Sequence, residues 1–179
     1  MPGLAEHQRA MLDLVKGRGT PPADPYLARV AASPELELLR EIAVFWRMIA
    51  VEDVCASLAR LLKALGTFQS RVENFYREED VSTYTERAGE QFCLRLRDDP
   101  DPLVRAMVEF ELASMRLRTG DSGEFVVDWD RNPDAVFAAL AAGGALPPAE
   151  RSAIYRLHLS RALPGLARCE CIENGEGAA

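Results

Sequence analysis

A chain of 179 residues has room for one substantial core, or for two small ones that share an interface. Its 48% apolar and 27% charged content is that of a globular protein, and its longest weakly charged apolar stretch, Ile42 to Val51, contains Arg47 and falls short of the ~20 residues a membrane-spanning helix needs. The formal charge of −7 disfavours nonspecific binding to a phosphate backbone, which requires clustered Lys and Arg.

The first residues, Met1-Pro2-Gly3-Leu4-Ala5-Glu6, show neither the basic region nor the apolar region of a secretory signal. Leu4 to Val15 carries Leu4, Met11, Leu14 and Val15 on a helical stripe stopped by Gly17 and Gly19. Thr20-Pro21-Pro22 and Asp24-Pro25 read as a connector, with one short helix around Tyr26 to Val30. Ser33-Pro34-Glu35 then supplies a cap, a proline at the first helical position and an early carboxylate. From there an apolar pattern runs through Leu36, Leu39, Ile42, Trp46 and Ile49 to Leu65 and Gly66, with a break expected at Glu52-Asp53.

Thr67 is placed to cap a helix bearing Phe68, Val72, Phe75 and Tyr76, and Thr83 with Glu86 matches a capping box for one bearing Tyr84, Ala88, Phe92 and Leu96. Asp101-Pro102 opens another, with Leu103, Met107, Phe110 or Glu111, and Met115 in register. The character changes at Thr119 to Gly123. Glu124 to Asp130 alternates Phe125, Val127 and Trp129 on one face, and Asn132-Pro133-Asp134 caps a short helix closed by Gly143-Gly144. Ala153, Tyr155, Leu157 and Leu159 alternate in a strand, Leu163-Pro164-Gly165 turns, and Leu166 to Ile172 returns. The fold class expected is α+β, mainly α. A helical bundle fills 1–118, a linker 119–123, a small winged-helix-like β-α-β-β module 124–172, and a disordered tail 173–179.

Chemistry-bearing groups are sparse. His7 and His158 lie far apart, and neither has a partner at metal-ligand spacing. Cys169 and Cys171 share a strand face, which suits either soft-metal or redox chemistry, or two small core fillers beside Ala167; the second reading is favoured because no further ligand pair accompanies them. Cys55 and Cys93 sit inside helical apolar patterns, as reduced thiols of a cytoplasmic protein do. Glu109 and Glu111 cannot pair on one helix face, and neither a phosphate loop nor a Gly-x-Ser-x-Gly elbow is present. What remains is the strand at Glu124 to Asp130. An edge strand offers unpaired backbone groups to an extended peptide, and its acids, Glu124, Asp128 and Asp130, are also what would blunt it.

The run Leu39-Arg40-Glu41-Ile42 through Leu61-Leu62-Lys63-Ala64-Leu65-Gly66-Thr67-Phe68 resembles the helical domain of the partner subunits of multinuclear non-haem iron oxidative enzymes. So do Tyr84 to Leu96, Val108 to Ala113, Val127-Asp128-Trp129-Asp130, Asn132 to Val136, Tyr155, and Ser160 to Leu166. Those partners serve in making ribosomally produced, modified peptides such as methanobactins and 3-thiaglutamate. The resemblance covers roughly residues 36 to 172 and is nearest the thiaglutamate type.

It implies that iron and its ligands belong to the enzyme subunit, with no cofactor in this chain. The C-terminal module would then be a peptide-recognition element for the precursor or scaffold peptide. The peptide-binding residues expected are Phe125, Val126, Val127, Asp128 and Trp129, or Tyr155, Arg156, Leu157, His158 and Leu159, whichever strand is the edge. Neither nucleic acid nor membrane is expected as a partner. The rival readings are a thiol enzyme using Cys169 and Cys171 and a winged-helix DNA-binding regulator. The latter is opposed by five arginines, no lysines and nine acids from Thr119 onward.

Overall fold

The computed structural model describes residues 3–18, 23–81 and 85–173. Helices α1 (Leu4–Val15), α2 (Pro25–Ala31), α3 (Pro34–Val54), α4 (Ala56–Ala64), α5 (Phe68–Glu78), α6 (Thr85–Arg95) and α7 (Pro102–Arg118) come first. Strand β1 (Phe125–Trp129), helix α8 (Pro133–Ala142) and strands β2 (Ala153–Leu159) and β3 (Ala167–Glu173) follow. The protein is mainly helical with one small antiparallel sheet in the order β1-β2-β3. Among the described residues no helix is long and apolar enough to cross a membrane.

Several helix starts repeat one local device. Asp24-Pro25, Ser33-Pro34, Asp101-Pro102 and Asn132-Pro133 each place a side-chain oxygen before a proline, and that oxygen accepts from backbone N–H groups of the first turn. The proline has no amide to leave unsatisfied there. Thr67 departs from the expectation: it precedes α5 without a side-chain cap bond, and its buried Oγ1 has no hydrogen-bond partner among the described residues. The capping box expected from Thr83 lies outside the described residues. So does the tail beyond Glu173, while Glu173 itself ends β3.

The long apolar pattern after Ser33 breaks at Cys55, not at Glu52-Asp53. The cause lies on another helix. Glu111 Oε1 of α7 accepts from Ser57 N at 2.7 Å and Leu58 N at 3.2 Å, amides that an unbroken helix would direct to Asp53 and Val54. The carbonyl of Val54, released by the same break, accepts from Arg118 Nη2, also on α7. Gly89 of α6 lets the helices close at this joint, since a Cβ there would stand 2.4 Å from Val54 Cγ1.

One core runs through both parts of the chain. It joins Leu58, Leu61, Leu62, Phe75, Phe92, Met107 and Val108 to Val127, Trp129, Val136, Leu157 and Leu159. Trp129 meets Phe110 of α7 and Phe137 of α8 edge-on, with ring centroids 6.5 and 5.7 Å away. The stretch 119–123 is therefore a change of secondary structure within continuous packing, and its first residues are tied back by Gly120 N donating to Leu117 O and Asp121 N to Arg116 O. A smaller cluster of Leu14, Leu27 and Leu36 joins α1 and α2 to the start of α3.

Candidate peptide interface

The alternation of β1 divides its residues as the pleat requires. Phe125, Val127 and Trp129 point toward α7 and α8, while Val126 and Asp128 lie on the exposed face. Its register with β2 sets Phe125 opposite Leu159, Val127 opposite Leu157 and Trp129 opposite Tyr155. Only one side of β1 is paired. Among the described residues no backbone hydrogen bond beyond the sheet involves Phe125 to Trp129, so alternate N–H and C=O groups face outward.

The second expected edge is not one. Tyr155, Arg156, Leu157, His158 and Leu159 lie in β2, which pairs with β1 on one side and β3 on the other. Both rows of its backbone groups are taken, so no peptide strand can add there. The hairpin strand that is an edge is β3, the return strand of the hairpin.

The exposed sheet face carries an ion-pair ladder. Arg156 Nε and Nη2 donate to the two carboxylate oxygens of Asp128 at 2.8 and 3.0 Å, and these bonds hold the Asp128 carboxyl below the usual carboxylate range. His158 Nδ1 is 3.1 Å from Glu124 Oε1; its Nε2 lies 3.7 Å from Glu170, within ion-pair range but beyond a hydrogen bond. Tyr155 donates its hydroxyl proton to Glu150, which pushes the phenol pKa up to about 12. That bond and the donation from Glu150 N to Asp130 O fasten the 143–152 loop to the end of the sheet.

Beneath the β1 edge, a small cavity of about 90 Å³ is bounded by Leu94 of α6, Leu112 and Arg116 of α7, and Phe125 to Val127. The Arg116 guanidinium lies 5.7 Å from the Phe125 ring centroid. A strand added to β1 would set alternate side chains over Leu94, which is half exposed, and Val126.

The cysteines divide. Cys55 and Cys93 are fully buried with sulfurs 3.5 Å apart, and the hydrogen bond to Cys55, then burial, pushes the Cys93 thiol far up. Cys169 packs partly against the core, but Cys171 is exposed, so the expected pair of core fillers holds for only one of them. Among the described residues no group of three or more His, Cys, Asp or Glu is arranged to hold a metal ion.

A feature that sequence reading missed is how little of α3 is covered. Of its 21 residues only Leu36 and Val51 are buried. Leu38, Leu39, Ile42, Phe45 and Trp46 are all large and exposed, with Phe45 at 57% and Trp46 at 63%. About half of five large side chains, at ~200 Å² each, leaves on the order of 500 Å² of apolar surface on one helix, the size at which such patches mark an interaction site.

No family model, curated protein or solved structure matches this chain.

Proposed function

We propose that this chain is the peptide-recognition partner of a multinuclear non-haem iron oxidative enzyme, acting in the cytoplasm without a metal of its own. It binds a ribosomally made precursor or scaffold peptide by strand addition and presents the peptide's cysteine to the enzyme. The sequence resemblance supplies the enzyme class. The observation that carries the reading is the unpaired β1 edge, formed by Phe125, Val126, Val127, Asp128 and Trp129 and seated on a rigid core. The β1-α8-β2-β3 order fits a winged-helix-like recognition module. The exposed face of α3 supports a second contact, the brace against the enzyme subunit.

Tethering does the catalytic service. A peptide held at the sheet meets the enzyme as a local, roughly millimolar reactant rather than a dilute one. Main-chain bonds supply affinity for any extended segment, and pockets flanking the edge select among side chains.

The test is isothermal titration of the subunit, alone and bound to its enzyme, with the precursor's leader peptide. Along β1, alternate residues direct their N–H groups to β2 or outward. Of Val126→Pro and Val127→Pro, one should therefore abolish leader binding while the fold stays intact, and the other should loosen the sheet. Unchanged leader affinity in both variants would remove β1 from the site. No binding in either state of the wild-type subunit would remove the function.

A further inference from the structure

On the far side of α7 from the β1 cavity lies a larger one. Phe110, Ser114, Leu117 and Arg118, successive turns of one α7 face, look across at the β2–β3 turn. The opposite wall is Leu159, Arg161, Gly165, Leu166 and Ala167, and the cleft between them holds about 620 Å³, within the range of sites that bury a ligand. Its floor is apolar, with Leu117 and Leu159 buried. Among the described residues no acid lines it, and the charged residues that do are Arg118 and Arg161, in a protein whose net charge is −7.

The wall is built in an unusual way. Leu166 has φ +68, and no other non-glycine among the described residues has a positive φ. A γ-branched side chain is disfavoured in that conformation, and residues so held concentrate at ligand sites. Here the surrounding bonds impose it: Leu166 N donates to Leu163 O and Ser160 N donates to Leu166 O, each at 3.0 Å. The Leu166 side chain is half exposed at the cleft instead of buried. Ala167, next in sequence, begins the unpaired outer edge of β3.

We propose that this cleft binds a peptide segment in which a bulky apolar side chain stands beside a carboxylate. The apolar side chain fills the space between Phe110, Leu117 and Leu166, and the carboxylate meets the guanidinium of Arg161, with Arg118 adding charge. A peptide is favoured over a free fatty acid because the open β3 edge at Ala167 offers main-chain bonds that only a polypeptide can use. The inference rests on the peptide-binding reading for the class of ligand, while the site is independent of β1.

The experiment is a fluorescence anisotropy titration with two labelled twelve-residue peptides, one alternating Leu and Glu, the other Leu and Lys. Two variants are compared with wild type. Arg161→Glu reverses the rim charge at an exposed residue, and Ser114→Trp fills the cleft; melting temperatures verify that both are folded. Wild type should prefer the acidic peptide at least tenfold. Arg161→Glu should lose that preference or invert it, and Ser114→Trp should weaken both peptides. Equal binding of the two peptides, no binding of either, or wild-type affinity in both folded variants would overturn the proposal. So would displacement by dodecanoate when the peptide itself binds no better than dodecanoate. Should Val126→Pro or Val127→Pro abolish leader binding while the Leu/Glu peptide still binds with its preference intact, the two sites are separate and both stand. Should the Leu/Glu preference be absent while leader binding is lost, strand addition stands and the cleft falls. The opposite pattern leaves the cleft and removes β1.

Discussion

The two longest helices, α7 and α3, make opposite use of similar apolar content. Along α7, Leu103, Val104, Met107, Val108, Leu112 and Leu117 are buried, and the helix touches α4, α6 and β1. Along α3 the large side chains of the middle turns stand in solvent. The first helix is the spine on which both bundle and sheet are assembled. The second is attached at its ends and along one side, leaving a face whose apolar surface the fold itself does not use. Apolar periodicity says that a helix has a face to bury; it does not say whether the cover comes from the same chain.

The sharpest way to break this contrast is to remove a side chain where the sheet meets α7. Trp129→Ala leaves a void among Phe110, Phe137 and the core, and should cost about 3–5 kcal/mol in urea unfolding. A loss below ~1 kcal/mol with a separate sheet transition would show that bundle and sheet fold apart, against the continuous core.

The next effect sits at the joint that α7 imposes. Glu111→Ala leaves the part-buried amide of Ser57 and the buried amide of Leu58 without their acceptor and should cost about 1–3 kcal/mol. The pH dependence carries the sign. Desolvation raises the Glu111 pKa in the folded protein, outweighing the amides of Leu58 and Ser57 that favour its charged form. A group whose folded pKa is raised stabilises fully below its unfolded pKa, and that contribution is lost as pH climbs through the folded one. The stability of Glu111→Gln relative to wild type should therefore improve from pH 4 to pH 7. A constant difference across that range would mean that the carboxyl ionises in place as easily as in water.

On α3 the expected cost is small. Phe45→Ser with Trp46→Ser should change stability by about 0.5 kcal/mol or less per site, while native-state binding of a hydrophobic dye falls sharply. A large destabilisation would mean that these side chains are covered within the folded chain, and the contrast with α7 would fail.

The smallest effect belongs to the sheet's exposed ladder. Asp128→Asn should cost under ~1 kcal/mol at pH 7, because the pair with Arg156 is solvent-screened. Its depressed pKa places that contribution above the unfolded value near 3.9, fading as acid protonates the carboxylate.

What was legible in the sequence was local. Ser33, Asp101 and Asn132 each announce a helix within three residues, because a cap bonds its own first turn; Asp24 does the same in the structure, although Asp24-Pro25 reads as a connector. Strand boundaries were legible for the same reason, set by alternation and turns. Strand order was not. Tyr155 to Leu159 alternates identically in a central or an edge strand, and only the register with Phe125 to Trp129 and with Ala167 to Glu173 tells them apart. The break at Cys55 was equally out of reach from its own neighbourhood, since its cause is fifty-odd residues away. One trace existed. Leu103, Met107, Glu111 and Met115 recur every four residues, so an acid stands in a core register, and an acid there needs donors brought to it. The Leu166 conformation left no such trace, because Gly165 before it reads as the whole of the turn.

Glu111 and Arg118 bracket the α3–α4 elbow from the helix that carries the sheet. A shift of α7 under load at the sheet would carry both side chains with it, loosening the first turn of α4 and freeing the Val54 carbonyl at the end of α3. The elbow is thus a strain gauge for events at the strands, and deuterium uptake at the amides of Ser57 and Leu58 would read it.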